Sequence, residues 1–339
     1  MKNLLRIAFV GAAFLGYSQE RVEARSFDSI DVEASLETQA VISHDDAADD
    51  ICIWENPQDV EASLVVATDK KYGLISYNLE GKILHHYPFG KINNVDILPE
   101  FQIGNNRIPL LCGSNRNEDT IDLFELQPDG QMKLLSSTPT EVNEVYGICF
   151  YTGDKDYVFV SSKKGEVVQY LLGVNDGIPQ LHKLRTLRFS SIVEGLAGDS
   201  HYGKLYVAQE RKGLWQINAA PWKPLQKEML LKTDRKQLRP DFEGVAVRDD
   251  GHGTGTIVVS VQGSNAYALV DRETKALKAL LHIKDGVVDG VQDTDGLDVS
   301  TLQSERFPSG LLIVQDGNNS PDTQNFKFVD WETIEKRIK

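Results

Sequence analysis

The run "YVFVSSKKGEVVQYLL" (157–172) decides the fold. An apolar segment ends in Ser-Ser-Lys-Lys, Gly165 supplies a turn, and a second amphipathic segment follows. That is the pattern of two short antiparallel strands. The unit recurs as "LVVATDKKYGLISYNLEGKIL" (64–84), "PLLCGSNRNEDTIDLFELQPDGQMKLL" (109–135), "KLYVAQERKGLWQI" (204–217), "TIVVSVQGSNAYALVD" (256–271) and "LLIVQDGNN…FKFVDW" (311–331). The polar residues at the turn, Lys70, Arg116, Lys163, Glu210, Gln262 and Asp316, lie 46, 47, 47, 52 and 54 positions apart.

A second element precedes each unit: "DDICIW" (49–54), "NVDIL" (94–98), "VYGICF" (145–150), "EGLAG" (194–198), "EGVAV" (243–247) and "DGLDV" (295–299). Six copies at a period near 50, each worth about four strands, predict an all-β, six-bladed β-propeller. The last copy is short, so the strand-like segment "RSFDSIDVEASLE" (25–37) is expected to complete a blade and close the ring, hiding the sheet edges. Residues 25–339 then form a single domain.

In a propeller the inner strand begins, and the second strand ends, at the same mouth of the central channel. One recurring position is occupied by Asp50, Val95, Tyr146, Glu194, Glu243 and Asp295, the other by the turn residues above. The register therefore gathers six carboxylates, three cations and a tyrosine on one disc. Like carboxylates at that spacing raise one another's pKa or recruit a cation. The stretch "VVDGVQDTDGLDVS" (287–300) looks at first like a calcium loop of its own, but counted from Asp293 it puts Leu297 and Asp298 at positions 5 and 6, where an EF-hand needs an oxygen ligand and Gly. It reads instead as one blade's share of a ring. Asp50, Glu194, Glu210, Glu243, Asp289 and Asp295, with Asp49 and Asp241 as neighbours, suit a hard, oxygen-seeking ion such as Ca²⁺. Lys70, Lys71, Arg116, Lys163 and Lys164 are placed to clamp phosphate.

Composition narrows the rest. A net charge of −14 and a pI near 5.0 argue against nucleic acid as a partner. At the N-terminus Lys2 and Arg6 precede the apolar run Ile7 to Tyr17, and Gly16 and Ser18 are small residues at cleavage-compatible spacing. This predicts a signal peptide over 1–18, too short to span a bilayer, and export to the periplasm or medium with no membrane attachment after cleavage. The three cysteines, Cys52, Cys112 and Cys149, show no metal or disulfide spacing and read as buried free thiols. No HExxH, GxSxG, P-loop or GxGxxG motif is present.

The segments "DAADDICIW", "ATDKKYGL", "SNRNEDTIDLFEL", "NEVYGICFY", "VEGLAGD", "YGKLYVAQE", "LRPDFEGVAV", "SVQGSNAYALVDR", "DGVQDTDGLDV", "PSGLLIVQDGNN" and "QNFKFVDWE" run in order over about 45–331. In them the chain resembles the β-propeller phytases, calcium-dependent phosphatases of inositol hexakisphosphate. The resemblance implies a 3-phytase acting as a monomer on phytate, as its calcium complex. It implies that Asp50, Tyr146, Glu194, Glu210, Glu243, Asp289 and Asp295 help hold several calcium ions, with Asp50, Tyr146, Glu194, Glu243 and Asp295 at the cleavage centre. Lys70, Lys71, Arg116 and Lys163 would take substrate phosphates, and Gln315, Asp316 and Asn318 would serve a structural calcium. Here Ile51-Cys52, Asp69, Lys164 and Gln209 depart from the family's usual residues; Lys164 and Gln209 bear on peripheral calcium binding. Two other classes share some of these features: a lactonase-like calcium propeller, which needs the carboxylates but not the rim lysines, and a non-catalytic exported binding propeller.

Overall fold

The computed structural model describes residues 27–338, so the expected signal segment, 1–18, lies outside the described residues. The chain forms six sheets arranged as blades of a β-propeller. Blade 1 comprises Ala48–Trp54, Leu64–Asp69, Gly73–Asn78 and Ile83–Tyr87. Blade 2 comprises Ile92–Ile103, Asn106–Asn115, Thr120–Leu126 and Met132–Pro139. Blade 3 comprises Val145–Thr152, Asp156–Ser162, Glu166–Asn175 and Ile178–Arg188. Blade 4 comprises Val193–Asp199, Lys204–Gln209, Gly213–Asn218 and Glu228–Lys232. Blade 5 comprises Phe242–Gly251, Thr254–Val261, Ala266–Asp271 and Leu277–Lys284. Blade 6 takes Leu297–Ser300, Leu311–Asp316 and Asn325–Asp330 from the C-terminal end.

The N-terminal segment expected to complete one blade serves two. Ser29–Glu33 adds a fifth, parallel strand to the outer edge of blade 5, while Leu36–Glu37 pairs with Phe328 and Lys327 as the outer strand of blade 6. The first and last parts of the chain thus share a sheet, and the ring closes.

The middle strands read as unbroken apolar runs because both of their faces are covered. Successive side chains alternate sides, so Leu64, Val66 and Leu74 pack toward blade 2 with Leu111 and Phe124. Val65, Ala67 and Ile75 pack the other way, with Ile313, Phe326 and Phe328 of blade 6. Among the described residues each of the six interfaces between neighbouring blades has such an apolar cluster. Cys52, Cys112 and Cys149 lie free in three of them.

Polar clips supplement this packing. Asp96 accepts from Ile97 N–H in its own blade and from Phe150 N–H in blade 3, both at 2.7 Å. Asp298 does the same for Val299 N–H and, across the closure, for Ile53 N–H of blade 1 (both 2.8 Å). Nearer the mouth the hydroxyls of Thr68, Ser114, Ser161 and Ser260 donate to carbonyls of the next blade, those of Asn93, Tyr146, Val193 and Thr294.

Asp298 makes the closure sensitive to pH. Burial and then the charge of Asp96 raise its carboxyl from 3.8 to about 7. Between those values the folded chain binds this proton more tightly than the unfolded chain, so the contribution of Asp298 falls as pH rises through the window. Asp298→Asn keeps one acceptor of the two and leaves one N–H unpaired, a loss of about 1–3 kcal/mol. Urea unfolding in EDTA should show that loss at pH 7, and a smaller decline in the variant than in the parent between pH 5 and pH 7.

Candidate functional site

At one mouth of the channel the inner strands are not regular. In blades 1 to 5 the ladder between inner and second strand skips at the same place: between Ala48 and Ile51, Ile92 and Val95, Val145 and Ile148, Val193 and Leu196, Phe242 and Val245. A bulge of this kind re-aims side chains and recurs beside functional sites. The residues it turns out come as pairs: Asp49-Asp50, Asn93-Asn94, Tyr146-Gly147, Glu194-Gly195 and Glu243-Gly244, with Asp295-Gly296 standing in the same place just before the first strand of blade 6.

The glycines have a steric reason. A Cβ on Gly147 would lie 1.7 Å from Glu194 O, one on Gly195 2.1 Å from Glu243 O, and one on Gly296 2.4 Å from Asp49 O. The second member of each pair therefore lies against the backbone of the next blade, and the first member faces the mouth.

This corrects the phase expected for blades 1 and 2. Asp49 and Asn93, rather than Asp50 and Val95, are in step with Tyr146, Glu194, Glu243 and Asp295. Asp50 holds the glycine place and turns toward blade 2, where its carboxylate accepts from Asn94 Nδ2 (3.0 Å) and Val95 N–H (3.2 Å). Val95 is a buried apolar core residue. The second set shifts by one in blade 6: Asp316 pairs with Asn325 inside the sheet, and Gly317 follows the strand as Lys70 does in blade 1.

Two sets of carboxylates result, Asp49–Glu194–Asp295 and Glu194–Glu210–Glu243, each with one oxygen per residue and those oxygens within 4.8 Å of one another. Glu194 belongs to both. Burial raises all five carboxyls above their ordinary values, and neighbouring carboxylates add to it: Asp49 on Glu194, Asp49 and Glu194 on Asp295, Asp241 on Glu210. Burial, then Glu194, also pushes the Tyr146 hydroxyl far up. Asp49 Oδ2 and Glu243 Oε2 are buried with no hydrogen-bond partner. No histidine or cysteine belongs to either set. Buried, unpartnered, hard oxygens at this spacing fit a divalent metal ion that prefers oxygen ligands.

Cations stand around the carboxylates. Lys70 Nζ is 2.7 Å from Asp46, 3.7 Å from Asp49 and 3.9 Å from Asp295. Burial alone would lower its pKa, but Asp49, Asp295 and Asp46 outweigh that and raise it. Arg116 donates to Asn93 Oδ1 at 2.8 Å, and Lys163 Nζ lies 4.4 Å from the centre of the Tyr146 ring. Lys71 turns away, donating to His44 O (2.6 Å). The cleft above the carboxylates, about 690 Å³, is lined by Lys70, Tyr146, Glu194, Glu210, Glu243 and Asp295, among others.

Two of the expected metal ligands lie apart from this centre. Asp289 and Asp316 meet Glu37 around the fully buried ammonium of Lys327. Asp316 also accepts from the N–H groups of Gln292 and Asn318. Asn318, whose Nδ2 faces Gln292, and Gln315, whose buried Oε1 lacks a partner, both border the cleft. Gln209, whose departure from the usual acid bore on metal binding, is occupied by Ser190, Ser191 and Trp215. Lys164 is exposed on the turn. Sequence reasoning placed Asp49 only as a neighbour and missed Asn93. Aligning "ADDI" and "INNV" with "VYGI", "VEGL", "FEGV" and "TDGL" would have found both.

Residues 4–339 match the family described as Phytase. The chain is 36% identical over 325 residues to the 3-phytase of Bacillus subtilis (strain 168), covering 91% of this chain and 85% of that protein. Its fold is similar to the RRP9 WD40 repeats (TM-score 0.51, 15% identity, covering 84% of this chain and 78% of that one). It is also similar to the β-propeller domain of Myceliophteria thermophila Cps50 (Swd1) (TM-score 0.51, 14% identity, 84% and 83% covered).

The crowding has a sign that can be measured. Because the folded carboxyls are raised, the metal-free protein holds protons that the unfolded chain releases, and its stability falls as pH rises above the ordinary carboxylate range. Glu243→Gln removes one of the opposed charges. At pH 8 in EDTA its Tm should exceed the parent's, while calorimetry should show its divalent-cation affinity at the mouth reduced at least tenfold.

Proposed function

The chain belongs to the phytase family, and we propose that it hydrolyses phosphate monoesters of phytate at this mouth with calcium ions held by Asp49, Tyr146, Glu194, Glu210, Glu243 and Asp295. The observation that carries the reading is the pair of carboxylate sets sharing Glu194, with Lys70, Arg116 and Lys163 on the same rim.

When bound, calcium neutralises the carboxylates, holds phosphoryl oxygens and makes a nearby water more acidic. The protein supplies the rest. Its inner-strand bulges fix the carboxylates before substrate arrives, so little reorganisation remains at the moment of reaction. Lys70 and Lys163 offer point charges, and Arg116 a planar fork, to the equatorial oxygens on which phosphoryl transfer accumulates charge. Tyr146, with its phenol held protonated, donates a hydrogen bond on the same side. A water attacking phosphorus in line forms the new P–O bond as the ester P–O bond breaks opposite, and the proton that the water gives up balances the one that the departing ester oxygen takes. Asp50, one step below, orients Asn94 and the backbone of blade 2 instead of meeting the substrate.

A substrate carrying several phosphates places a second one on neighbouring cations, which favours phytate, taken as its calcium complex, over simple esters. Gln315 and Asn318 belong in this reading to a structural calcium at the edge of the cleft, whereas Asp289 and Asp316 are held by Lys327. The enzyme is exported as a monomer, with 1–18 as its signal peptide and 25–339 as one domain. Among the described residues no helix is long and apolar enough to cross a membrane.

Phosphate release from calcium phytate and p-nitrophenyl phosphate, set beside ring opening of a simple lactone, separates this reading from its rivals. Release from phytate should be the fastest, lost in EDTA and restored by calcium. Full activity in EDTA, or lactone hydrolysis alone, would contradict it. Lys70→Met should raise KM for phytate at least tenfold, while Lys71→Met changes it less than threefold.

A further inference from the structure

One member of the inward-facing ring is neither acid nor phenol. Asn93 stands at the bulge position of blade 2, fully buried, in step with Asp49, Tyr146, Glu194, Glu243 and Asp295. Its Oδ1 accepts from Arg116 Nη1 at 2.8 Å, and its Nδ2 donates to Glu194 Oε1 at 3.0 Å and to Asn94 Oδ1 at 2.8 Å. The amide can be oriented only one way, because a guanidinium only donates and a carboxylate only accepts. Its backbone is held as well, with Asn93 O accepting from Thr68 Oγ1 at 2.8 Å.

We propose that Asn93 is a positioning residue that couples the phosphate side of the site to the metal side, by holding Arg116 and Glu194 on the two ends of one amide. The proposal rests on the function proposed above. A carboxylate in its place would face Glu194 as a further negative charge, and an ammonium would face Arg116 as a like charge. A neutral amide alone bonds both neighbours without adding to either. Because it sits on a rigid inner strand, a cation held by Glu194 and a phosphate held by Arg116 meet at a fixed separation. Loss of the amide leaves Arg116 free to swing and Glu194 without a buried donor, so each ligand loses the other's support.

Coupling of this kind is read by a double-mutant cycle. Asn93→Ala, with the near-isosteric Asn93→Leu as a control for cavity formation, is compared alone and with Arg116→Ala or Glu194→Gln. The readouts are phytate KM and kcat, the inhibition constant of inorganic phosphate, and calcium affinity by calorimetry without substrate. Alone, both Asn93 variants should raise KM and the phosphate inhibition constant about tenfold and weaken calcium binding several-fold, with a Tm within a few degrees of the parent. With Arg116→Ala the same change should move KM less than twofold, and with Glu194→Gln it should leave calcium affinity unmoved. Full additivity in both backgrounds, or a fall in kcat with KM and calcium affinity unchanged, would overturn the proposal. Calcium-independent hydrolysis by the parent enzyme would instead overturn the functional reading beneath it.

Discussion

Like charge held at close range by the backbone is the constraint on which the rest of this molecule depends. Asp49, Glu194, Glu210, Glu243 and Asp295 are brought together by strands that cannot yield without breaking the ladders of several blades. Side chains on flexible loops would relax apart, but a bulge at the end of a buried strand does not allow that. The energy is held as raised carboxyl pKa values and unpartnered oxygens, and a cation with oxygen-rich coordination releases it. Binding site and local instability are two aspects of one arrangement.

The propeller supplies this constraint cheaply because closure and site use the same positions. The hydroxyls of Thr68, Ser114 and Ser161 accept from the bulged N–H groups of Asp50, Asn94 and Gly147 and donate to the next blade's carbonyl. Each fixes a bulge and the neighbouring blade at once. Lower in the channel Asp96 and Asp298 repeat the linkage with carboxylates, and the N-terminal strands join blades 5 and 6 from outside.

Much of this could be read in the sequence, and for definite reasons. The turns after the second strands kept a period near 50, and acid-glycine pairs marked three of the inner strands: Glu194-Gly195, Glu243-Gly244 and Asp295-Gly296. The phase failed where the glycine is replaced. Asp50 and Asn94 occupy positions where the other blades have Gly, so the two adjacent aspartates of blade 1 could not be told apart by composition, and Asp49 was passed over. Asn93 carried no charge to draw notice, and its role depends on Arg116 and Glu194, which lie 23 and 101 residues away. Asp289 and Asp316 shared the composition of the ring but are claimed by Lys327, whose burial shows only in three dimensions. The N-terminal segment was legible as strand, yet its division between two blades follows from where each half finds an open edge.

The central claim, that the bulged inner strands hold a metal cluster pivoting on Glu194, is tested most directly by anomalous diffraction from crystals grown with calcium or a lanthanide. The account predicts at least two peaks at the channel mouth, one among Asp49, Glu194 and Asp295 and one among Glu194, Glu210 and Glu243. Peaks bound by Asp50 in place of Asp49, or a mouth without any peak at saturating metal, would contradict it.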